Sequence, residues 1–244
     1  MDLGLKNKVA LVTGAGNGIG AAIARALAAE GVHVAVVDIN IEAAERVTSQ
    51  LRERGTAIRC DITDEAQVAA MAESAASLGP VGILVNNAGF TRDTRITKMT
   101  LGEWDAVVDV ILKGAFLCAR ALMPAMIEAG WGRIINISSR AHLGNRGQAN
   151  YSAAKAGLIG FTRALSLENA RHGVTVNAVA PGLIDTEMVR ALPHYESVRS
   201  SVEKNTPIPR MGRPEDVADL VVFLASERAS YITGDLMHVS GGRY

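Results

Sequence analysis

Short β-branched runs alternating with helix-period segments along nearly the whole chain predict a doubly wound α/β fold, a parallel sheet with helices on both faces. Two further observations point the same way. The predicted strands are apolar runs without alternation, the pattern of strands buried on both faces. No linker-like stretch, internal repeat or low-complexity segment interrupts them. With 244 residues, 48% of them hydrophobic, the chain can fill one large core, so residues 1–244 are expected to form a single domain.

The elements follow in order. "VALVTG" (9–14) reads as a buried strand, followed by a small-residue helix from about Gly18 to Glu30. "HVAVVD" (33–38) is the second strand, with a helix from about Ile41 to Arg54 after it. "AIRCD" (57–61) is a short third strand, and Asp64 is placed to cap the next helix. "GILVNNAG" (82–89) is the fourth strand and its exit, and a long helix is expected from roughly Thr100 to Ala129. "GRIINIS" (132–138) is the fifth strand, the helix carrying Tyr151 runs to about His172, and "VTVNAVAPG" (174–182) is the sixth strand with its turn. A helix near 215–225 and a strand near 236–240 close the chain. Residues 183–213, with Pro193, Pro207, Pro209 and Gly212, are the loosest region; long irregular segments in compact domains are usually functional, so a substrate lid is expected there.

Composition excludes several roles. Lys plus Arg and Asp plus Glu number 25 each, with no long like-charge block, which argues against nucleic acid or an acidic membrane as partner. Cys60 and Cys118 are too few for a disulfide framework and lack metal-ligand spacing, so no metal is expected. The opening "MDLGLKNKVALVTG" lacks the charged and apolar regions of a signal peptide, and no apolar run is long enough to span a membrane. A cytoplasmic protein is expected.

"TGAGNGIG" (13–20) joins the first strand to the first helix with Gly14, Gly16, Gly18 and Gly20. Glycines let the backbone approach a phosphate, and the helix N-terminus supplies N–H donors and positive potential. The spacing is not G-x-G-x-x-G, and alone it is equally a tight strand–helix turn. Asp38 and Asp61 end the second and third strands. Each is a turn residue or a ligand: Asp38 for the adenosine ribose hydroxyls, where it would repel a 2′-phosphate, and Asp61 for the adenine amino group. Convergence of three polar features on the C-terminal ends of successive strands favours a dinucleotide site, with NAD over NADP. Asn17, where a cation could have paired with a 2′-phosphate, agrees with that preference.

"ANYSAAKAG" (149–157) sets Tyr151 and Lys155 one helical turn apart among small residues. A base working near pH 7 needs the phenol pKa of about 10 lowered by about three units, roughly 4 kcal/mol. One cation about 5 Å away at an effective dielectric near 20 supplies roughly 3 kcal/mol.

"TGAGNGIG", "NNAG" (86–89), "YSAAK" (151–155) and "APG" (180–182), in that order and spacing, resemble the classical short-chain dehydrogenases/reductases over nearly the whole chain. The resemblance implies a Rossmann fold with a seven-stranded sheet, and hydride transfer between a nicotinamide and a carbonyl or secondary alcohol. Tyr151 is then the acid/base, Lys155 lowers its pKa and holds the nicotinamide ribose, and a serine binds the substrate oxygen. The cofactor would lie against Gly14, Asn17, Gly18, Ile19, Asp38, Asp61, Ile62, Asn87, Ala88, Gly89, Tyr151, Lys155, Pro181, Gly182, Ile184 and Thr186. Counting from Arg133 along the strand gives Ser139 as the serine; counting back from Tyr151 gives Ser138. A strand fixes register while a loop absorbs a deletion, so Ser139 is favoured.

The pattern breaks at Ile111, where the resemblance implies an Asn that distorts the long helix and whose carbonyl holds a water leading to the lysine. Ile111 slows or reroutes that relay, or packs in the core of a straight helix, or marks an impaired enzyme that binds NAD as a regulator. Within the family, "NNAGFTRD", "GQANYSAAKAGLIGFTRAL" and "YITGDLMHVSGG" look most like 3-oxoacyl-acyl-carrier-protein and acetoacetyl-CoA reductases. Those commonly use NADPH, whereas Asp38 points to NAD(H), and an NAD enzyme often oxidises another secondary alcohol. Arg140, His142 and Arg146 are loop residues able to meet an acyl or phosphopantetheine group, or ordinary surface. Arg171 and His172 are able to meet an acidic carrier protein, or simply close a helix. A homotetramer paired through the long helices and the C-terminal elements is implied by the resemblance.

Overall fold

The structure is a computed structural model and describes residues 2–52 and 54–243. Seven parallel strands form one sheet in the order β3-β2-β1-β4-β5-β6-β7: β1 Val9–Thr13, β2 His33–Asp38, β3 Gly55–Arg59, β4 Val81–Asn86, β5 Gly132–Ile137, β6 Val174–Pro181 and β7 Leu236–Val239. Side chains alternate across each strand, so each sends half its residues to either face. Ala10, Val12, Val34, Val36, Ile83 and Val85 pack with helices α1 (Gly18–Ala29), α2 (Ile41–Thr48) and α9 (Pro214–Ala225). Val9, Leu11, Ala35, Val37, Leu84 and Ile134 pack on the other face with α3 (Glu65–Ala76), α5 (Gly114–Glu128) and α6 (Ala149–Asn169). Both faces are covered, which is why the strands read as unbroken apolar runs.

The chain order reverses between β1 and β4, and a crevice opens at the C-terminal ends of the strands there. Asp64 caps α3 as expected, accepting from the Ala66 and Gln67 amides. β3 begins two residues earlier than expected because it pairs with β2 from Val34 opposite Gly55. That register leaves Cys60 and Asp61 beyond the strand end, at the crevice.

Four expectations need correction. The second helix does not reach Arg54: it ends at Thr48, where the hydroxyls of Thr48 and Ser49 donate back to the Glu45 and Arg46 carbonyls and the chain turns through Arg52 at φ 47°. That expected helix also crosses Glu53, which like Met1 and Tyr244 lies outside the described residues. The long helix is not uniform, being α4 (Leu101–Val108), a π-helical turn (Asp109–Lys113) and then α5. The helix carrying Tyr151 ends at Asn169, with a 3₁₀ turn over Ala170–His172. Residues 183–213, expected to be irregular, contain α7 (Glu187–Arg190) and α8 (Tyr195–Asn205). A two-way bridge closes their base, Asp185 N–H to the Gly212 carbonyl at 2.8 Å and Gly212 N–H to the Leu183 carbonyl at 3.0 Å.

Candidate active site

A cleft of about 1270 Å³ lies over the C-terminal ends of the strands and beneath the 183–213 segment. Every residue expected to hold the dinucleotide lines it, from Gly14 on β1's exit to Thr186 before α7.

At one end the glycine-rich turn is drawn close against β4's exit. Gly14 has φ 60°, and a Cβ on it would sit 2.8 Å from the Ala88 Cα; one on Gly20 would meet the Gly14 carbonyl oxygen at 2.4 Å. Only glycine permits that approach. Asn87 fastens it, donating from Nδ2 to the Thr13 and Gly14 carbonyls at 2.9 Å each, while Thr13 Oγ1 accepts from the Asn87 and Ala88 amides. The Asn87 amide is thus occupied in shaping the cradle. Asn17 has an extended backbone and makes no side-chain cap bond, which leaves the first N–H groups of α1 directed at the cleft. Asp38 is held in place by the Gly16 amide at 2.9 Å and the Asn40 amide at 3.0 Å. A carboxylate has about four acceptor sites, so capacity for ribose hydroxyls remains. Asp61 spends one oxygen on the Thr63 amide and hydroxyl, which is the turn role its sequence position allowed, and still lines the cleft. A dinucleotide therefore fits the residues present: a backbone cradle that any Cβ would fill, open helix donors, and the Asp38 carboxylate at the end of β2 in the same cleft.

At the other end α6 presents Tyr151 and Lys155. Lys155 is buried, its Nζ donating to the Ile137 carbonyl at 2.6 Å and lying 5.5 Å from the centre of the Tyr151 ring. Burial lowers the Lys155 ammonium from 10.5 to about 7. Tyr151 departs from expectation: burial raises its pKa, a hydrogen bond from the Ser139 hydroxyl works against the rise, and Asp93 adds to it. The coulombic sum assumed a full lysine charge at no cost, but the burial that strengthens attraction also penalises both charged forms.

The two candidate serines are separated by the geometry. Ser138 is buried and donates from Oγ to the Lys155 carbonyl at 2.8 Å, tying β5 to α6. Ser139 follows the strand, accepts from the Ala141 amide at 3.1 Å, and hydrogen-bonds the Tyr151 phenol. Arg140 lines the cleft next to it. Arg146, His142, Arg171 and His172 do not line it. The last two precede β6 and therefore sit at the opposite end of a strand roughly 26 Å long, away from the cleft.

Ile111 is buried with Val107, Ala115, Ala154 and Leu158. A Cβ on Gly89 would lie 3.1 Å from its Cγ1 and 3.4 Å from Lys155 Nζ, so the isoleucine shares a wall with the lysine. The helix does not run straight here, because Gly114 N–H bonds back to the Asp109 carbonyl. Some supporting residues escaped the sequence reading. Asn86 Nδ2 donates to Asn136 Oδ1, and Asn136 Nδ2 to Thr162 Oγ1, both at 2.8 Å, locking β4, β5 and α6 behind the site. Their only sequence signal was polarity inside otherwise apolar strands.

The family model described as Enoyl-(Acyl carrier protein) reductase matches residues 14–243. The chain belongs to the short-chain dehydrogenase/reductase family. It is 43% identical to the 3-oxoacyl-[acyl-carrier-protein] reductase of Salmonella typhimurium over 244 residues, covering 99% of each chain. It is 47% identical to Nodulation protein G of Azospirillum brasilense, covering 98% of each. It is 45% identical to the acetoacetyl-CoA reductase of Shinella zoogloeoides, over 98% of this chain and 99% of that one. A solved structure from Sinorhizobium meliloti 1021, titled as a short-chain alcohol dehydrogenase, superposes at a TM-score of 0.94 with 38% identity, over 99% of this chain and 98% of that one. As a family member the chain is an oxidoreductase that uses a nicotinamide cofactor on a hydroxyl or keto group.

Proposed function

We propose that this oxidoreductase is NAD-dependent and reduces the keto group of a 3-oxoacyl thioester, on acyl carrier protein or coenzyme A, with Ser139, Tyr151 and Lys155 as its catalytic residues. The carrying observation is the Tyr151 phenol, hydrogen-bonded by Ser139 beside buried Lys155, in a cleft whose far end offers the Asp38 carboxylate. When bound, the cofactor supplies the hydride in reduction or takes it in oxidation. Ser139 holds the substrate oxygen. Tyr151 gives that oxygen its proton from Oη, and the resulting phenolate is reprotonated from solvent by way of Lys155. Tyr151 above its ordinary pKa holds its proton at pH 7, which suits the acid role in reduction; the reverse reaction needs the oxidised cofactor's positive charge to draw the phenol down.

Asp38 supports NAD, since a 2′-phosphate beside this carboxylate would be repelled. The names of the relatives support the thioester. Residues 1–244 act as one catalytic domain, with 183–213 as its lid, in a cytoplasmic homotetramer; two free, buried cysteines suit a reducing compartment. A second reading is oxidation of another secondary alcohol, which NAD would favour. A third is a regulatory NAD-binding protein of low turnover, and Ile111 beside Lys155 favours it.

The test is absorbance at the NADH band with acetoacetyl-CoA. NADH oxidised at least tenfold faster than NADPH is expected, with Asp38→Ala narrowing the ratio and Ser139→Ala cutting kcat far more than Ser138→Ala. Equal use of both cofactors removes the role given to Asp38. No turnover despite NADH binding leaves the regulatory reading.

A further inference from the structure

The cleft is lined by two arginines that the thioester reading does not use. Arg140 follows Ser139 directly and begins the 3₁₀ turn Arg140–Leu143; Arg243 comes from the segment after β7. Gly241 and Gly242, at φ 64° and 86°, fold that segment under Thr206, Pro207 and Ile208 of the lid, so that Arg243 faces the cleft. His142 and His238 join the two segments: their Nε2 atoms are 3.2 Å apart and the ring centres 5.4 Å apart. Rings meeting end to end in this way share one proton in an N–H···N bond. Burial, with the neighbouring His238 ring, holds His142 below its ordinary pKa, and the fixed positive charge among these groups is that of the arginines.

Other charges at the cleft are spoken for. Arg210 pairs with Asp216 through both guanidinium nitrogens, Asp93 accepts from Gln148, and Asp38 and Asp61 are held by their own turns. Glu187 lies on the lid beside Arg190. Among the described residues neither Arg140 nor Arg243 forms an ion pair. A guanidinium presents a planar fork of donors matched to a carboxylate.

We infer a further activity: the same site interconverts free short-chain 3-oxo and 3-hydroxy acids, whose carboxylate is bound by Arg140 and Arg243 while the keto carbonyl meets Ser139 and Tyr151. The inference rests on the hydride-transfer reading. The redox step is unchanged, with a hydride from the reduced nicotinamide and a proton from Tyr151 added across the C=O. The cofactor is left oxidised and the carboxylate keeps its charge. A carrier phosphate is a poor alternative occupant, because the pantetheine arm separates it from the reacting carbon, whereas Arg140 is bonded to the serine that holds that carbon's oxygen.

The experiment compares kcat/KM for acetoacetate, neutral ethyl acetoacetate and acetoacetyl-CoA with NADH, in the parent, Arg140→Gln, Arg140→Lys and Arg243→Gln, each checked for native circular dichroism. In the parent, acetoacetate is expected to be turned over. The ratio of kcat/KM for acetoacetate over ethyl acetoacetate should fall about 30-fold in a glutamine variant, mainly through KM, the size of a lost charge-assisted hydrogen bond. Arg140→Lys should recover part of it. Turnover of acetoacetyl-CoA without acetoacetate, or a ratio unmoved in both glutamine variants, overturns the inference and leaves the thioester reading intact. A loss confined to acetoacetyl-CoA assigns the arginines to the carrier's phosphates and also overturns it. Silence on all three substrates removes the hydride-transfer reading and the inference with it.

Discussion

Lys155 shows how burial decides what a single residue does. Its ammonium has one protein acceptor, the Ile137 carbonyl, and burial brings its pKa from 10.5 to about 7. A folded value below the unfolded one means that the unfolded chain binds more protons between those two pH values. Stability therefore rises with pH across that window, and the cost of the buried charge is fully present below about pH 7. In the cofactor-free protein, Lys155→Met removes this titration along with one hydrogen bond. The melting temperature of the variant relative to the parent should be highest at pH 6 and fall steadily as the pH is raised toward 10. A difference that is flat with pH, measured by circular dichroism, would show that Lys155 ionises near its ordinary value. At this scale the sequence was informative where a strand fixes register. Counting along β5 placed Ser139 at the phenol, and Ser138 proved to be the residue that ties β5 to α6. The sign of the Tyr151 shift was not legible, because burial is a property of the folded surroundings and not of the helical spacing.

The π-helical turn at Asp109–Lys113 is an element that needs no asparagine. Ile111 fills the space beneath Gly89 with alkyl carbon, and the widened turn persists. Such turns mark functional sites more often than chance, and here it lies against the wall that holds Lys155. The isoleucine offers a water at this wall no polar side chain. Ile111→Asn is therefore predicted to raise kcat several-fold where proton delivery limits, and to reduce the solvent isotope effect. It should also cost about 1–3 kcal/mol of stability, since an amide would sit among Val107, Ala115, Ala154 and Leu158. An unchanged kcat and isotope effect would mean that protons reach Tyr151 by a route independent of this wall. The helix pattern from Thr100 to Ala129 was legible, but the turn within it was not, because one extra residue in a helix hardly alters apolar spacing. The helices α7 and α8 were also hidden. α8 has few apolar residues, and of these Val202 is the one fully buried. Tyr195 at its start donates to Asp185, which also pairs with Arg190 of α7.

At the scale of the whole molecule the succession of strands and helices and a crevice at the C-terminal ends of the strands were legible, because unbroken apolar runs, glycine turns and strand-end carboxylates are all local signals; the order of the strands in the sheet was not. What the sequence does not mark is the outer surface, and there the structure adds an argument for assembly. Leu101 on α4, Leu167 on α6 and Phe116 on α5 are 74%, 86% and 43% exposed. Ala156 and Gly160 are also exposed, and a Cβ on Gly160 would touch nothing within 4 Å. Large apolar residues next to small ones on two long helices form a surface suited to a second copy of the same helices. Separate exposed apolar residues are Phe223 on α9 and Tyr231 in the segment before the edge strand β7. Two independent self-complementary faces on one subunit generate a closed tetramer with dihedral symmetry, and the loss of one leaves dimers. Light scattering after size exclusion should find the parent tetrameric and Leu167→Glu dimeric, because a buried, unpaired carboxylate is costly at an apolar interface. Tyr231→Glu should also give dimers, through the other face, and the double variant monomers. Each variant should retain a native circular dichroism spectrum, since neither side chain is buried in the subunit itself. A monomeric parent, or a Leu167→Glu protein that remains tetrameric, would show that these helices face solvent in the working enzyme.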